Sequence, residues 1–213
     1  MEPVVKSALK MLVNDFQAVL SSDVCIGKEG NIIINKDTTL LDKRKEAFQL
    51  KVSNDQLYVT GSDAHGVAYG ILEISRLIGV SPWEWWADVM PLKRSSFSLA
   101  NGYVNLQAPS VEFRGIFIND EDWGLMPWSS LHYEPWHKPG RIGPKTNARI
   151  FELMLRLRAN TYWPAMHECT QPFFLTQGNR EVAEQYGIYI GGSHCEPMAS
   201  STAGEWRKRG KGE

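Results

Sequence analysis

The chain has 213 residues, room for one large domain or two small ones, and 43% of them are apolar, as in a protein with an ordinary buried core. Lysine plus arginine total 23 against 24 aspartates plus glutamates, and the resulting net charge of −1 offers no field to nucleic acid or an anionic membrane. No apolar run approaches the ~20 residues that span a bilayer, and three cysteines (Cys25, Cys169, Cys195) make no disulfide framework.

Residues 1–13 lack the basic start, apolar stretch and cleavage site of a secretion signal. Over 3–20, Val4, Val5, Ala8, Leu9, Leu12, Phe16, Val19 and Leu20 recur at three- and four-residue spacings. This predicts an amphipathic helix with Pro3 in its first turn. Residues 31–35 are a short β-rich run. Phe48, Leu50 and Val52 alternate with polar residues, and Leu57 and Val59 do the same after Asn54-Asp55, which predicts a β-hairpin. The turn Gly61-Ser62-Asp63 leads into a helix over about 64–78, with Val67, Ile71, Ile74, Leu77 and Ile78 on one face and Gly79 ending it. The first hundred residues therefore read α-β-β-β-α. Residues 81–91, dense in aromatics, predict an ordered strap into a bridging segment near 95–107.

The pattern then changes. Residues 111–118 (VEFRGIFI) predict a buried parallel strand. A long loop rich in tryptophan and proline follows over 119–145. A helix over about 146–158 carries Ile150, Phe151, Met154, Leu155 and Leu157. Residues 160–166 predict a second strand, 179–186 a short helix and 187–192 a third strand. Alternating strands and helices imply a parallel sheet with right-handed crossovers. No glycine-rich phosphate loop follows any strand, which argues against a dinucleotide site.

Functional groups of parallel α/β folds collect at the C-terminal ends of the strands. The first predicted strand ends in Asn119, Asp120, Glu121 and Asp122, the second in His167 and Glu168, the third in His194, Cys195 and Glu196. An acid at a strand end can instead cap the next helix, an explanation that suits one of Asp120, Glu121 or Asp122. It suits Glu196 less well, because Pro197 fixes a turn directly after it. Seven of the eight tryptophans lie between 83 and 163. An indole offers a flat apolar face with a polar edge, which suits a sugar ring, although core packing explains any single one. Carboxylates beside aromatic platforms point to glycoside hydrolysis: one acid protonates the leaving oxygen and the other activates water or attacks the sugar. A Zn²⁺ or Mn²⁺ site from His167, Glu168, His194 and Glu196 competes, but the spacing matches no helix-borne histidine pair. A Cys195 nucleophile beside His194 is weaker, since adjacent strand residues point to opposite faces. Neither metal nor cofactor is expected.

The segment GSDAHGVAYGILEISRLIGVSPWEWWADV (61–89) resembles the end of the small domain that precedes the barrel in several glycoside hydrolase families. EFRGIFINDED (112–122), FELMLRLRANTYWPAM (151–166), YGIYIGGSHCEPM (186–198) and GEW (204–206) together resemble one of them, glycoside hydrolase family 115. The resemblance runs from about residue 56. It implies an α/β fold: a small α+β N-terminal domain over 1–107, followed by the first strands and helices of a truncated (β/α)8 barrel over 108–213. It implies an inverting α-glucuronidase that removes (4-O-methyl)-glucuronic acid from xylan side chains. Glucuronoxylan or acidic xylooligosaccharides would be the partners, with a homodimer through regions beyond Glu213 as a further option. Such enzymes are secreted or periplasmic and use no organic cofactor. Carried over by position, Glu196 is the expected catalytic carboxylate, while Asn119, Asp120, Glu121, Trp163 and His194 line the sugar pocket. In many relatives a second histidine stands where this chain has Cys195. A complete barrel takes ~250 residues, so the second acid and the groups that hold the uronate are expected past Glu213, and the chain alone is expected to be inactive. Two other readings stay open: a carbohydrate-binding or structural module without chemistry, and a hexosaminidase-type hydrolase, whose barrel the small domain also precedes.

Overall fold

The computed structural model describes residues 1–120, 123–135, 140–165 and 170–192. The chain divides into two compact units, the first comprising Met1–Glu112 with Leu155–Arg158, the second Phe113–Met154 with the residues from Ala159 onward.

In the first unit, α1 (Pro3–Leu20) opens on a proline, whose missing N–H would have had no partner in a first helical turn. It buries Val4, Val5, Ala8, Leu9, Leu12 and Val19. β1 (Ile32–Lys36), β2 (Phe48–Ser53), β3 (Gln56–Gly61) and β4 (Val104–Gln107) form a sheet in the order β1-β3-β2-β4. β1 runs parallel to β3, and β2 is antiparallel to both β3 and β4. Phe48, Leu50 and Val52 point into the core and their neighbours do not, the period of two that a half-buried strand requires. The β2–β3 hairpin turns on Asn54 and Asp55, at φ of 52° and 59°, the positive values that let a two-residue loop follow the strand twist. Between β1 and β2, α2 (Leu40–Lys43) is a single irregular turn with Leu41 and Asp42 in the left-handed region.

α3 (Ala64–Ile78) packs against α1 and the sheet. Its cap is Asp63, whose carboxylate accepts from the N–H of Gly66 (2.8 Å) and from that of Glu46 (2.7 Å). One side chain thus fixes both the start of the helix and the approach to β2. Gly66 is a close approach: a Cβ there would stand 2.1 Å from the Ala47 carbonyl oxygen. Gly79, at φ 102°, ends the helix.

Two buried carboxylates tie this unit together. Asp15 takes a bidentate pair of hydrogen bonds from Arg156 (2.7 and 2.9 Å). Glu73 accepts from Arg76 (2.6 and 2.8 Å), Arg158 (2.6 Å) and Asn105 (3.0 Å). Burial pushes the Glu73 carboxyl upward, but the hydrogen bonds and charges of Arg76 and Arg158 outweigh it and leave it below its usual range. The Arg158 guanidinium also lies over the Phe48 ring, 4.9 Å from its centroid.

In the second unit, β5 (Gly115–Phe117), β6 (Thr161–Trp163) and β7 (Tyr189–Ile190) form a parallel sheet in that order. α5 (Pro144–Arg156) lies between β5 and β6 in the chain, and α6 (Asn179–Tyr186) between β6 and β7. The strand–helix alternation read from the sequence is present. β5 differs from its expectation in two ways: it is shorter than 111–118, and its residues are exposed rather than buried. Among the described residues it pairs only with β6. The loop over 119–145 is also more structured than its composition suggests, with α4 (Leu125–Trp128) running into a π turn at Ser129–Tyr133.

Candidate active site

The C-terminal edge of the parallel sheet brings three of the expected residues together. The pairing of β5 with β6 extends one residue further, the Ile118 N–H donating to the Trp163 carbonyl (3.0 Å). Asn119 and Asp120 therefore leave the sheet at the level of Trp163. Asn119 is exposed and Asp120 is buried, 8% accessible. The Asp120 carboxylate accepts from the N–H of Met126 in the first turn of α4, so this acid caps the following helix.

The pleat sends Tyr162 and Trp163 to opposite faces. Tyr162 is fully buried, with the Phe151 and Phe173 rings edge-on at 5.4 and 6.2 Å. Among the described residues no group lies within hydrogen-bonding reach of its hydroxyl. Burial raises its phenol well above the ordinary tyrosine value, and the negative charge of Asp120 adds to the shift. Trp163 is 39% exposed and sits edge-to-face with Phe117 at 6.1 Å. Its indole passes over Gly191, where a Cβ would come 2.3 Å from Nε1. That glycine on the neighbouring strand gives the ring its place.

The loop after β5 is held by a second buried acid. Glu134, 0% exposed, accepts from the backbone N–H groups of Lys145 (3.0 Å) and Thr146 (2.9 Å) and from the Thr146 hydroxyl (2.7 Å). Its carboxylate thus satisfies donors that the first turn of α5 cannot satisfy itself. Ser129 and Thr146 share a further bond of 2.6 Å. Gly143 leaves room for the arrangement, since a Cβ there would lie 2.6 Å from both carboxylate oxygens. Trp128 stacks on Tyr133, centroids 4.9 Å apart and planes 11° from parallel. Trp123, on the same loop, is 93% exposed.

A cavity of about 10 Å³ lies among Ile142, Asn147, Tyr162, Ala165, Phe173 and Asn179. That is the lower limit for one water molecule, far too small for a sugar. Glu121, His194 and Glu196 lie outside the described residues, as do His167, Glu168 and Cys195 of the competing metal and thiol readings. Among the described residues, no three His, Cys, Asp or Glu side chains gather as a metal site would require. Nor is any helix among them long and apolar enough to cross a membrane. Glu134 carried no signal in the sequence, because it caps a helix that begins ten residues later in the chain. Trp123 was visible only as one tryptophan among many.

The model of glycosyl hydrolase family 115 matches residues 106–213. Among solved structures, a family GH115 4-O-methyl-α-glucuronidase with specificity for decorated arabinogalactans superposes with a TM-score of 0.93 and 60% identity, over 100% of this chain and 30% of that chain. A GH20 exo-β-N-acetylglucosaminidase from Vibrio harveyi matches with a TM-score of 0.55 and 16% identity, over 89% of this chain and 31% of that chain. A β-hexosaminidase from Streptomyces plicatus matches with a TM-score of 0.58 and 10% identity, over 88% of this chain and 38% of that chain. At such identities these last two share the fold alone. The chain thus spans about 30% of the length of the glucuronidase it matches. No curated protein sequence matches it.

Proposed function

The chain belongs to glycosyl hydrolase family 115, and from that premise we propose that the whole protein is an inverting α-glucuronidase, of which this chain supplies a small α+β domain over 1–107 and the first strands of a (β/α)8 barrel over 108–213. It would remove (4-O-methyl)-glucuronic acid from the side chains of a plant polysaccharide. The observation that carries the reading is the 60% identity to a 4-O-methyl-α-glucuronidase along the whole chain. That relative's specificity makes decorated arabinogalactan a substrate to test beside glucuronoxylan. A polymeric substrate cannot cross a membrane, which favours a secreted or periplasmic enzyme.

The chemistry needs two carboxyl groups roughly 6.5–9.5 Å apart. One protonates the glycosidic oxygen as the bond from it to the anomeric carbon breaks. The other takes a proton from the water that attacks the opposite face, so the sugar leaves with inverted configuration. Glu196 is assigned to one of these roles. Asn119, Asp120, Glu121, Trp163 and His194 are assigned to the pocket wall. The arrangement of Asn119, Asp120 and Trp163 along one sheet edge supports this, because barrel enzymes build their sites there. The uronate needs a cationic partner, an arginine by preference.

The test uses the full-length protein with glucuronoxylan and decorated arabinogalactan. Glu196→Gln should lower kcat by roughly 10²–10⁴-fold, the usual cost of losing a general acid or base. Near wild-type release would remove Glu196 from the chemistry. Release of N-acetylhexosamine from an aryl N-acetylhexosaminide by the wild type, with no uronic acid released from either polysaccharide, would overturn the glucuronidase reading itself.

A further inference from the structure

Whatever the substrate of the enzyme, we propose that one ordered water molecule bridges the Tyr162 hydroxyl and Asn147 Oδ1, completing a polar joint between β6, α5 and α6.

Two buried polar atoms of the second unit stand without partners. Among the described residues, neither the Tyr162 hydroxyl nor Asn147 Oδ1 is within hydrogen-bonding reach of another group. Tyr162 is 0% and Asn147 1% accessible. This chain alone encloses both, so their burial does not depend on the rest of the protein. Native structures satisfy the great majority of such atoms, with protein groups or with ordered water.

The direction of Asn147 Oδ1 is set by the other end of the amide. Its Nδ2 donates to the carbonyls of Ile142 (3.2 Å) and Gly143 (3.1 Å) and to Asn179 Oδ1 (3.1 Å). Turning the amide over would set its oxygen against three acceptors, so Oδ1 faces away from them. Asn179 also donates to the Ile142 carbonyl (3.0 Å). The start of α6, the first turn of α5 and the residues before it thus form one network. On the strand side, the Phe151 and Phe173 rings hold the Tyr162 ring edge-on. Burial keeps its phenol protonated and therefore a donor.

Tyr162 and Asn147 line the same cavity, whose volume of about 10 Å³ admits one water and nothing larger. The two free atoms are complementary: the phenol offers a proton and the amide oxygen accepts one. A water can accept from the first and donate to the second. A cation would meet the phenol proton and an anion would meet the amide oxygen, so neither fits. Small apolar cavities stay dry, but Thr170, Gln171 and Asn179 also line this one. The joint supports β6 one residue before Trp163, which is assigned to the pocket wall.

The experiment is done on the full-length protein. A high-resolution crystal structure should show one water within hydrogen-bonding distance of both Tyr162 Oη and Asn147 Oδ1. A dry cavity, or a water that bonds only one of the two atoms, would overturn the proposal, and this result needs no variant. Tyr162→Phe keeps the ring and removes the bond. Hydrogen exchange should then show protection falling about tenfold, as for one hydrogen bond lost with its buried partner stranded. The amides to follow are Gly191, which donates to the Tyr162 carbonyl (3.0 Å), and Asn147, which donates to the Gly143 carbonyl (3.0 Å). The Val67 amide in α3, bonded to the Asp63 carbonyl (3.0 Å), should not change. Protection that holds or rises at Gly191 and Asn147 would mean that the phenol has no partner to lose, and would refute the bridge.

Discussion

Removing the Glu134 carboxylate should free the start of α5. Three close donors lose their acceptor in Glu134→Ala, the N–H groups of Lys145 and Thr146, at 3.0 and 2.9 Å, and the Thr146 hydroxyl at 2.7 Å, and the Ser129 hydroxyl loses a longer contact at 3.5 Å. Each donor left unpaired in a buried site costs about 1–3 kcal/mol. The cavity left by the side chain lets water recover part of that, as it does where ordinary N-caps are removed at about 0.5–2 kcal/mol. The expected net loss is about 3 kcal/mol. Glu134→Gln keeps the shape but removes the anion at the helix N-terminus, worth up to about 2 kcal/mol when partly buried, and turns an amide NH₂ toward donors. It should lose about half as much as the alanine variant. A global melting temperature is a poor readout, because domains of a large protein unfold separately. Hydrogen exchange of the Lys145 and Thr146 amides in the full-length protein reports the local opening. Protection at both should fall by roughly 150-fold in Glu134→Ala, the equivalent of about 3 kcal/mol. If protection changes by less than about threefold, or if glutamine costs as much as alanine, the carboxylate is not the cap that the geometry describes.

Two further outcomes follow from buried polar groups. Tyr162→Phe removes a hydroxyl with no protein partner among the described residues, so chemical denaturation should show a loss of about 1–2 kcal/mol, the contribution of its bond to the proposed water. A neutral or stabilising change would mean that no water in the adjoining cavity bonds the phenol. Glu73, held below its usual value of 4.5 by Arg76 and Arg158 against the opposing effect of burial, contributes stability above that pH. The contribution is lost as pH falls through the lower folded value. The first unit should therefore loosen in acid below about pH 4.5, as followed by hydrogen exchange in α3. Glu73→Gln should flatten this acid limb, and an unchanged limb would refute the role.

The parts of the fold legible in the sequence are those whose signals are local. α1 and α3 show their apolar period, Asp63 and Gly79 mark the ends of α3, and Asn54-Asp55 marks the hairpin. β4 was hidden because its pattern is inverted. Val104 and Leu106 face outward at 54% and 41% exposure, while Asn105 and Gln107 turn inward to bond Glu73 and Arg158. A polar lining of that kind cannot be read as a strand until its partners, thirty and fifty residues away, are known. β5 was read too long for the opposite reason: an apolar run looks buried whether or not the fold covers it. The structure inside the 119–145 loop was illegible because distant acids, Asp120 and Glu134, hold it rather than any local period. The strand-end rule needs only the order of strands and helices, and Asn119 and Asp120 do follow the C-terminal end of β5; Trp163, in β6, was named only through the family resemblance.

Asp120 was open to two explanations, a helix cap or a group of the pocket wall, and the geometry allows both at once. A carboxylate has two oxygens, and among the described residues only one of Asp120's is engaged, by the Met126 N–H. That bond fixes the side-chain torsion and, with it, the direction of the other oxygen. Burial to 8% accessibility removes competing water from the same group. A residue used in catalysis or binding has to be held to within about half an ångström of its working position, and sites achieve this by locking its rotamer through neighbouring bonds. The cap on α4 is therefore the kind of support that a pocket carboxylate requires. The same logic applies to Trp163, whose ring is set by the absence of a side chain at Gly191 and by the edge of Phe117. In both cases the contact that looks merely structural is what would make the functional group precise.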